Sequence, residues 1–416
     1  MKDLILGLVG FGNIGTGVVK HLQEHGELIN NRCGRRVVLK SICDKNFDYP
    51  RPVTTDEYNK VSDFHEITKD AEIDVVIELV GGTTIAYKVI TEALKAGKHV
   101  VTANKAVIAT FGGELFELAR QNNVQLLFES AVGAGIPAIR ALQGGLLPNK
   151  INGVYGILNG TCNFILTAME DDPALSFDAV LKVAMEKGYA EPDPTLDIEG
   201  DDTAHKIAIM GSLVFGFDLR GNDTIKEGIT KIKSSDFALA KSRNCTIKLV
   251  ASAELSPTGN LGLSVWPTLV ENGTALASIR GVINSFLISA EPAGLMQFSG
   301  AGAGQGSTGS GILSDICLIA QTNDSAVLAK LNPLSIPSNV RPRAGISSAH
   351  PKRIGRFIGK ESVGFVQNAG YPIISNNGEC VYVELPEHTL AERNILLEKA
   401  KASGIESTFE LRIASF

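Results

Sequence analysis

The sequence predicts an α/β chain whose first third folds as a doubly wound parallel sheet, with α+β material following it. Three observations carry that expectation. Short, wholly apolar runs alternate with helical patterns, as strands buried on both faces of a parallel sheet alternate with their covering helices. The first of these runs is closed by a glycine cluster that opens a helix. The length of 416 residues allows two to three domains at roughly 150 residues each.

Leu4 to Val9 is the first strand, ended by Gly10, and a helical pattern runs on through Val18, Val19, Leu22 and Leu28. Val37 to Cys43, closed by Asp44, is the second strand. Ile73 to Val80, closed by Gly81-Gly82, is the third. Thr83 to Lys98 reads as a helix with Ile85, Val89, Ile90 and Leu94 on one face. His99 to Thr102 and Val124 to Phe128 are further strands, separated by a helix around Glu114 to Arg120. In this setting Gly10-Phe11-Gly12-Asn13-Ile14-Gly15 reads as a Rossmann-type dinucleotide fingerprint. Gly10 permits the tight turn, Gly12 the close approach of a pyrophosphate, and Gly15 the packing of helix on strand. The helix N-terminus offers free N–H groups to the phosphates. Asp44 stands where an acid bonds the ribose 2′-hydroxyl of NAD, whereas Lys45 and Arg51 just beyond suit the 2′-phosphate of NADP. Both cofactors stay open.

Lys+Arg total 39 against 45 Asp+Glu, a net charge of −6. That balance excludes a nucleic-acid binder, which carries a basic surplus. With 44% hydrophobic and 20% charged residues the chain has ample material for cores. No apolar stretch approaches the roughly 18 residues that span a bilayer, and the N-terminus runs into a strand rather than a signal peptide. The six cysteines are scattered singly, without a disulfide-like or metal-like spacing. The expectation is a soluble, cytoplasmic, multi-domain protein with no membrane partner.

The middle of the chain carries the chemistry. Asn104-Lys105 follows a strand at the carboxyl edge of the sheet, where a lysine points into a cofactor crevice or is a solvated turn residue. Glu129 to Pro137 offers backbone carbonyls and one acid, suited to a monovalent cation, to close packing on a cofactor, or to a plain interdomain crossing. Gly156 to Ile165 reads as strand, polar turn and helix start, with Asn159 and Thr161 as caps or ligand donors. Cys162 has no base tied to it and reads as a packing residue. Gly188 to Asp197 is a proline-broken acidic loop, and an apolar helix follows from Ile207 to Phe215. Asp202 and Lys206 share one helix face at i and i+4. Taken alone they are a surface ion pair worth under ~1 kcal/mol. With Glu191 and Asp197 nearby they suit a zwitterionic, amino-bearing substrate, the lysine relaying a proton to its carbinol oxygen. His205 points away from that face. Gly300 to Ser310 is a second glycine loop, too degenerate for a phosphate-binding Walker sequence. It fits close approach to a nicotinamide or an interdomain hinge.

These motifs, in this order, resemble those of the homoserine dehydrogenases. The matching text is Gly10-x-Gly12-x-x-Gly15, Val100 to Lys105, Glu129 to Pro137, Leu158 to Asn163, Gly188 to Asp197, Gly200-x-Asp202, His205-Lys206 and Gly302-Ala303-Gly304. It covers about the first 330 residues. The resemblance implies interconversion of L-homoserine and L-aspartate 4-semialdehyde with NAD or NADP, in threonine and methionine biosynthesis. It implies Lys206 as proton donor, Asp202 as its partner and Lys105 at the nicotinamide–substrate junction. Glu191, Asp197, Gly160, Thr161 and Tyr189 would meet substrate. Gly10, Gly12, Asn13, Ile14, Gly15, Asp44, Gly82, Thr83, Asn104, Lys105 and Gly304 would meet the cofactor. Glu129 with the carbonyls of Val132, Ala134 and Ile136 would hold sodium, and two copies would join through a sheet as a homodimer. The implied domains are residues 1–137 with 311–332 returning to them, 138–310 for substrate and dimerisation, and 338–416 as a small α+β, ACT-like regulatory unit.

Two departures stand out. Ser307 replaces the family's loop proline, which predicts a softer loop. In the tail, Glu379 to Leu385, Leu390 to Ala402 and Thr408 to Ile413 read as strand, helix and strand, but no first ACT strand is evident. Two other functions remain on the sequence: dehydrogenation of another short hydroxy amino acid, or non-catalytic sensing of NAD(P) and an amino acid.

Overall fold

Two sheets organise the chain, and the candidate site lies between them. In the computed structural model the described residues are 2–216, 219–255, 261–322, 353–378, 380–386 and 390–414. The first sheet comprises β1 (Leu4–Val9), β2 (Val37–Cys43), β3 (Asn59–Val61), β4 (Val75–Glu78), β5 (His99–Thr102) and β6 (Leu126–Leu127). All its pairings are parallel, in the order β3-β2-β1-β4-β5-β6. The chain direction across the sheet reverses between β1 and β4, which opens a ligand crevice at their carboxyl ends. The covering helices are α1 (Asn13–Cys33), the single turn α2 (His65–Thr68), α3 (Thr84–Lys95) and α4 (Lys105–Gln121).

The chain then leaves this sheet through α5 (Glu129–Gly133) and α6 (Ala138–Gln143). Next come β7 (Lys150–Ile157), α7 (Gly160–Asp171), α8 (Phe177–Glu186), α9 (Thr195–Ile198) and α10 (Asp201–Phe215). They are followed by β8 (Ile225–Lys226), α11 (Ser234–Ser242), β9 (Cys245–Leu255), β10 (Leu261–Glu271), β11 (Ile283–Glu291) and β12 (Gly294–Ala301). Helix α12 (Gln305–Gln321) crosses back, and its Ile312, Leu313, Ile316 and Ile319 share a core with Leu6, Leu8, Val18 and Val19 of β1 and α1. The tail runs β13 (Arg353–Ile358), α13 (Ser362–Asn368), β14 (Ile373–Asn376), β15 (Cys380–Leu385), α14 (Leu390–Ala402) and β16 (Ser407–Ala414). This is a βαββαβ unit of ferredoxin-like order β16-β13-β15-β14. β16 also pairs in parallel with β10, so the second sheet is continuous from β12 through β11, β7, β9 and β10 into the tail.

Several elements differ from expectation. The third strand is shorter than Ile73 to Val80, the fifth helix-flanked strand shrinks to Leu126–Leu127, and α3 ends at Lys95 because Gly97 takes a left-handed turn at φ 73°. α4 begins at Lys105, well before Glu114, because Asn104 caps it by accepting the Val107 N–H. Its Gly112 is buried against Phe116 and Ile108, so the glycines do not break it. Glu129 to Gly133, for which no helix was expected, is a buried helical turn. The proline-broken loop contains α9, since Pro194 precedes a first turn whose N–H groups have no intrahelical acceptor. α10 starts at Asp201, and Ile207 to Phe215 is only its apolar part.

The first tail strand does exist. β13 escaped the hydropathy pattern because Arg353 and Arg356 point inward, where they are buried against Glu410 and Asp236. In the second glycine loop the Ser307 hydroxyl donates to the carbonyls of Ala303 and Gly304 (2.9 and 3.2 Å). Residues 323–332 and 338–352 of the expected domains, and Glu379, lie outside the described residues.

Gly311 marks how tightly α12 closes on α5. A Cβ there would stand 2.2 Å from the Ala134 carbonyl oxygen and 2.3 Å from Ser130 Oγ. Gly311→Ala is expected to destabilise the fold by about 1–3 kcal/mol, the usual cost of overpacking, read as a lower Tm.

Candidate active site

Helices α4 and α10 bring their first turns together, and three charged side chains meet there. Asp202, in the first turn of α10, accepts from Lys206 one turn on at 2.8 Å and from Lys105 at the start of α4. Asp202 and Lys206 are buried, while the Lys105 side chain is 39% exposed. The sequence spacing predicted the i, i+4 pair, but its bland form, a solvated surface pair, does not hold. The expected addition of Lys105 to that pair comes from a turn nearly a hundred residues earlier. Burial alone would raise the Asp202 carboxyl, yet Lys206 and Lys105 together outweigh it and hold the group well below the ordinary carboxylate range.

Lys206 Nζ also donates to the Leu158 carbonyl at 2.8 Å, as does Asn284 Nδ2 at 2.9 Å. The β7–α7 turn therefore faces the lysine. Asn159 caps α7 by accepting the Cys162 N–H, and its amide donates to Asp197 (2.7 Å) and Asp202 (3.1 Å). Burial raises the Asp197 carboxyl, and the neighbouring Asp202 adds to the rise. Gly160 opens α7 with no room for a Cβ against the Val282 carbonyl, 2.8 Å away. Thr161 is not a cap; its hydroxyl donates to the Tyr189 carbonyl. The exposed Tyr189 ring stands edge-on to Phe164. Glu191 is exposed and makes no bond to Asp197, Asp202 or either lysine. Cys162 is buried, its thiol pushed up by burial, and it donates to the Asp197 carbonyl, which fits packing rather than nucleophilic attack. His205 packs its ring against Gly221, and burial and then Lys105 hold its pKa below the ordinary value.

The dinucleotide fingerprint has the geometry its glycines predict. Gly10 has φ 100° and abuts the Leu79 carbonyl, and a Cβ on Gly15 would meet the Gly10 carbonyl at 2.3 Å. Nothing lies within 4 Å of a Cβ placed on Gly12, so the N-terminus of α1 is open, with no side chain capping it. Asn13 and Ile14 form its first turn. Asp44 accepts from the N–H of Phe11 at 2.7 Å, while Arg51 donates to the Phe11 carbonyl and lies 4.3 Å over its ring. The acid and the base of the two cofactor readings thus flank the same residue. Gly304, at φ 123°, opens α12 beside α1, where Gln305 donates to Asn13.

One buried acid escaped the sequence reading. Glu78, fully buried at the end of β4, accepts from Val80 N–H (2.8 Å) and from the Thr102 hydroxyl (2.7 Å). Thr102 in turn accepts from Asn104 N–H, and Asn104 Nδ2 donates to the Gly82 carbonyl. The clamp ties the Gly81-Gly82-Thr83 turn to the turn that presents Lys105. Only its place at a strand's carboxyl end signals it. Glu78→Gln puts an amide N–H against a backbone or hydroxyl donor, so nucleotide affinity is expected to fall about tenfold by loss of one buried bond. Thr102→Ser should keep it; nucleotide titration reads both.

Glu129, buried in α5, accepts from the N–H groups of Ile139 and Arg140. The Glu129 N–H donates to the buried Asp315 of α12, which also pairs with Arg140 at 2.7 Å. Burial pushes the Asp315 carboxyl up to about 7. Ala134 (φ 53°) accepts from Ser130 through its carbonyl, and the Ile136 carbonyl accepts from Ala138. The Val132 carbonyl belongs to the same buried turn.

Among the described residues no helix is long and apolar enough to cross a membrane, and no group of three or more His, Cys, Asp or Glu residues forms a metal cluster. The sequence profile described as homoserine dehydrogenase matches residues 137–317, and that of the homoserine dehydrogenase NAD binding domain matches 10–129. A Neisseria gonorrhoeae homoserine dehydrogenase is 40% identical over 321 residues, 77% of this chain and 73% of that one. The Bacillus subtilis enzyme is 35% identical over 319 residues, again 77% and 73%. The crystal structure of a Thiobacillus denitrificans homoserine dehydrogenase aligns with TM-score 0.84 at 30% identity, covering 100% of this chain and 99% of that one. A hyperthermophilic archaeal homoserine dehydrogenase in complex with NADPH aligns with TM-score 0.61 at 25% identity, covering 76% of this chain and 96% of that one.

Proposed function

The chain belongs to the homoserine dehydrogenase family, and from that premise we propose how its own residues carry the reaction. It is an NAD(P)-dependent oxidoreductase acting on a CH–OH group, and it interconverts L-homoserine and L-aspartate 4-semialdehyde. The observation that carries the mechanism is the Lys105–Asp202–Lys206 cluster, its aspartate and Lys206 buried, together with an open dinucleotide turn.

The cofactor would sit on the N-terminus of α1 between Gly10, Gly12, Asn13, Ile14 and Gly15, with Asp44 or Arg51 at the ribose and Gly82, Thr83, Asn104 and Gly304 toward the nicotinamide. The open Gly12 and the uncapped helix end fit such a group. The chemistry such a group would supply when bound there is hydride acceptance from the substrate carbinol carbon and, in the reverse direction, hydride donation to the aldehyde. Lys206 takes the hydroxyl proton in one direction and donates it in the other, the usual task of a positioned general acid–base. Asp202 fixes the ammonium toward the Leu158 turn, and Lys105 adds positive charge where alkoxide character develops. Asp197 and Glu191, with Gly160, Thr161 and Tyr189 at the same end, hold the amino-acid part of the substrate.

A sodium ion suits the α5 turn. Of two buried acids, only Asp315 pairs with the Arg140 guanidinium while Glu129 accepts backbone N–H groups alone, so a monovalent cation on Glu129 and the carbonyls of Val132, Ala134 and Ile136 would balance the buried charge. The enzyme serves threonine and methionine biosynthesis. Six single cysteines, none in a disulfide, support a reducing cytoplasmic setting. The edge strand β12, with exposed Leu295 and Met296, supports a homodimer joined through the second sheet. The proposed division is residues 1–137 with 311–332, 138–310 and 338–416, of which 323–332 and 338–352 lie outside the described residues; the βαββαβ order of 353–414 supports an ACT-like regulatory domain.

The test mixes protein and L-homoserine with NAD or NADP at alkaline pH, in sodium or in choline buffer, and follows reduced-nicotinamide absorbance. Turnover is expected, faster in sodium, and the two cofactors are ranked in the same run. A folded protein that binds nucleotide but turns over a different hydroxy amino acid, or none, overturns the substrate assignment.

A further inference from the structure

Residues 225–233, which cross from β8 to the start of α11, lie between the tail and the active site. On one side the segment is held by the tail. Arg393 of α14 pairs with Glu227 at 3.0 Å and with Glu410 of β16 at 3.0 Å. Arg356 of β13 donates to the Lys231 carbonyl at 2.6 Å while pairing with Asp236. Arg356, Asp236 and Glu410 are buried, so these bonds are shielded from solvent and salt.

On its other side the same segment holds the substrate end of the site. The Ile229 N–H donates to the Ile198 carbonyl at 2.8 Å, and Thr230 Oγ1 donates to Glu199 at 3.0 Å. Lys226 pairs with Asp201 at 2.6 Å. Gly228 lies so close that a Cβ would stand 2.4 Å from the Ile198 carbonyl oxygen. Ile198 to Asp201 is the junction between α9, which carries Asp197, and α10, which carries Asp202 and Lys206. Gly200 at φ 84° forms the corner. The segment has tail groups on one edge and the α9–α10 corner on the other.

We infer that residues 225–233 act as a strap through which the C-terminal unit positions Asp197 and Asp202, with Arg393 and Glu227 as positioning residues for homoserine binding. The inference rests on the assignment of Asp197 and Asp202 to the substrate site. It predicts an effect confined to one substrate, because the dinucleotide turn is built from β1, β2, β4 and β5, none of which the strap touches. A seam that merely held the fold together would weaken both substrates alike, or neither.

The full-length protein is made as Arg393→Met, Glu227→Gln, Arg393→Lys and Gly228→Ala. Gly228→Ala disturbs the strap at α9 and leaves the tail contacts in place. Arg393→Met, Glu227→Gln and Gly228→Ala are expected to raise KM for homoserine roughly 2- to 30-fold, the range for changes along a coupled network, with KM for nucleotide unchanged. Arg393→Lys keeps the charge and should recover part of the loss. Amide hydrogen exchange supplies a readout independent of turnover: the Ile229 and Ala204 amides should exchange faster in Arg393→Met and Glu227→Gln. Unchanged homoserine KM with unchanged exchange overturns the strap, as does an equal rise in both KM values. If the wild-type protein does not oxidise homoserine, the functional reading fails, while the exchange data still decide whether tail and corner are coupled.

Discussion

Lys206→Ala is expected to cost about 10²- to 10⁴-fold in turnover, the usual range for removing a general acid–base, while nucleotide binding stays at the wild-type level. The structure explains why the loss should be chemical rather than structural. Asp202 keeps Lys105 as a partner, so no buried carboxylate is left without a counter-charge. The Leu158 carbonyl keeps the Asn284 amide as donor at 2.9 Å. Nothing in the dinucleotide turn touches Lys206, so nucleotide titration should be unaffected. Lys206→Arg is the sharper control. A guanidinium keeps the charge and the reach but does not give up its proton, so homoserine oxidation should stay as slow as in the alanine variant. Steady-state rates beside nucleotide titration and a thermal melt check this, and near-native turnover in either variant would remove Lys206 from the mechanism.

The parts of this site that were legible in the sequence are those fixed by local geometry. The fingerprint glycines could be read because a turn, an open approach and a tight helix–strand contact each demand a missing side chain, and Gly10, Gly12 and Gly15 show those three conditions. The Asp202–Lys206 pair could be read because helical spacing places i and i+4 together. What sequence could not supply was burial, and burial changes the meaning of the same residues. Solvated, the pair is a minor surface contact; buried and joined by Lys105, it is a charged cluster with chemistry to perform. Glu78 went unnoticed because nothing in Val75–Glu78 distinguishes a buried acid from a strand-ending one. The first tail strand was hidden by its inward arginines, whose partners Glu410 and Asp236 lie far away in sequence. Inward charge defeats a hydropathy pattern because the pairing that makes it affordable is itself a tertiary fact.

Asp202→Asn is the second large effect, and it differs in kind from the loss of Lys206. The asparagine keeps the shape and some hydrogen bonds but leaves two ammonium groups converging without a counter-charge, one of them buried. Removing one partner of a buried pair costs stability, here about 3 kcal/mol at neutral pH, the low end for such changes because Lys105 is partly exposed. The pH dependence of that cost has a definite sign. In the wild type the Asp202 carboxyl is held below its unfolded value of about 3.9, so its contribution is complete above pH ~4 and is lost as pH falls through the lower, folded value. The gap in Tm between variant and wild type should therefore be widest near neutrality and narrow in acid. Catalysis should fall as well. Without the carboxylate nothing charged holds Lys206 and Lys105 together at the Leu158 turn, and homoserine oxidation is expected to drop about 100-fold. Steady-state rates beside the melts check this, and a variant that loses stability but keeps wild-type turnover would mean that Asp202 serves the fold and does not position Lys206.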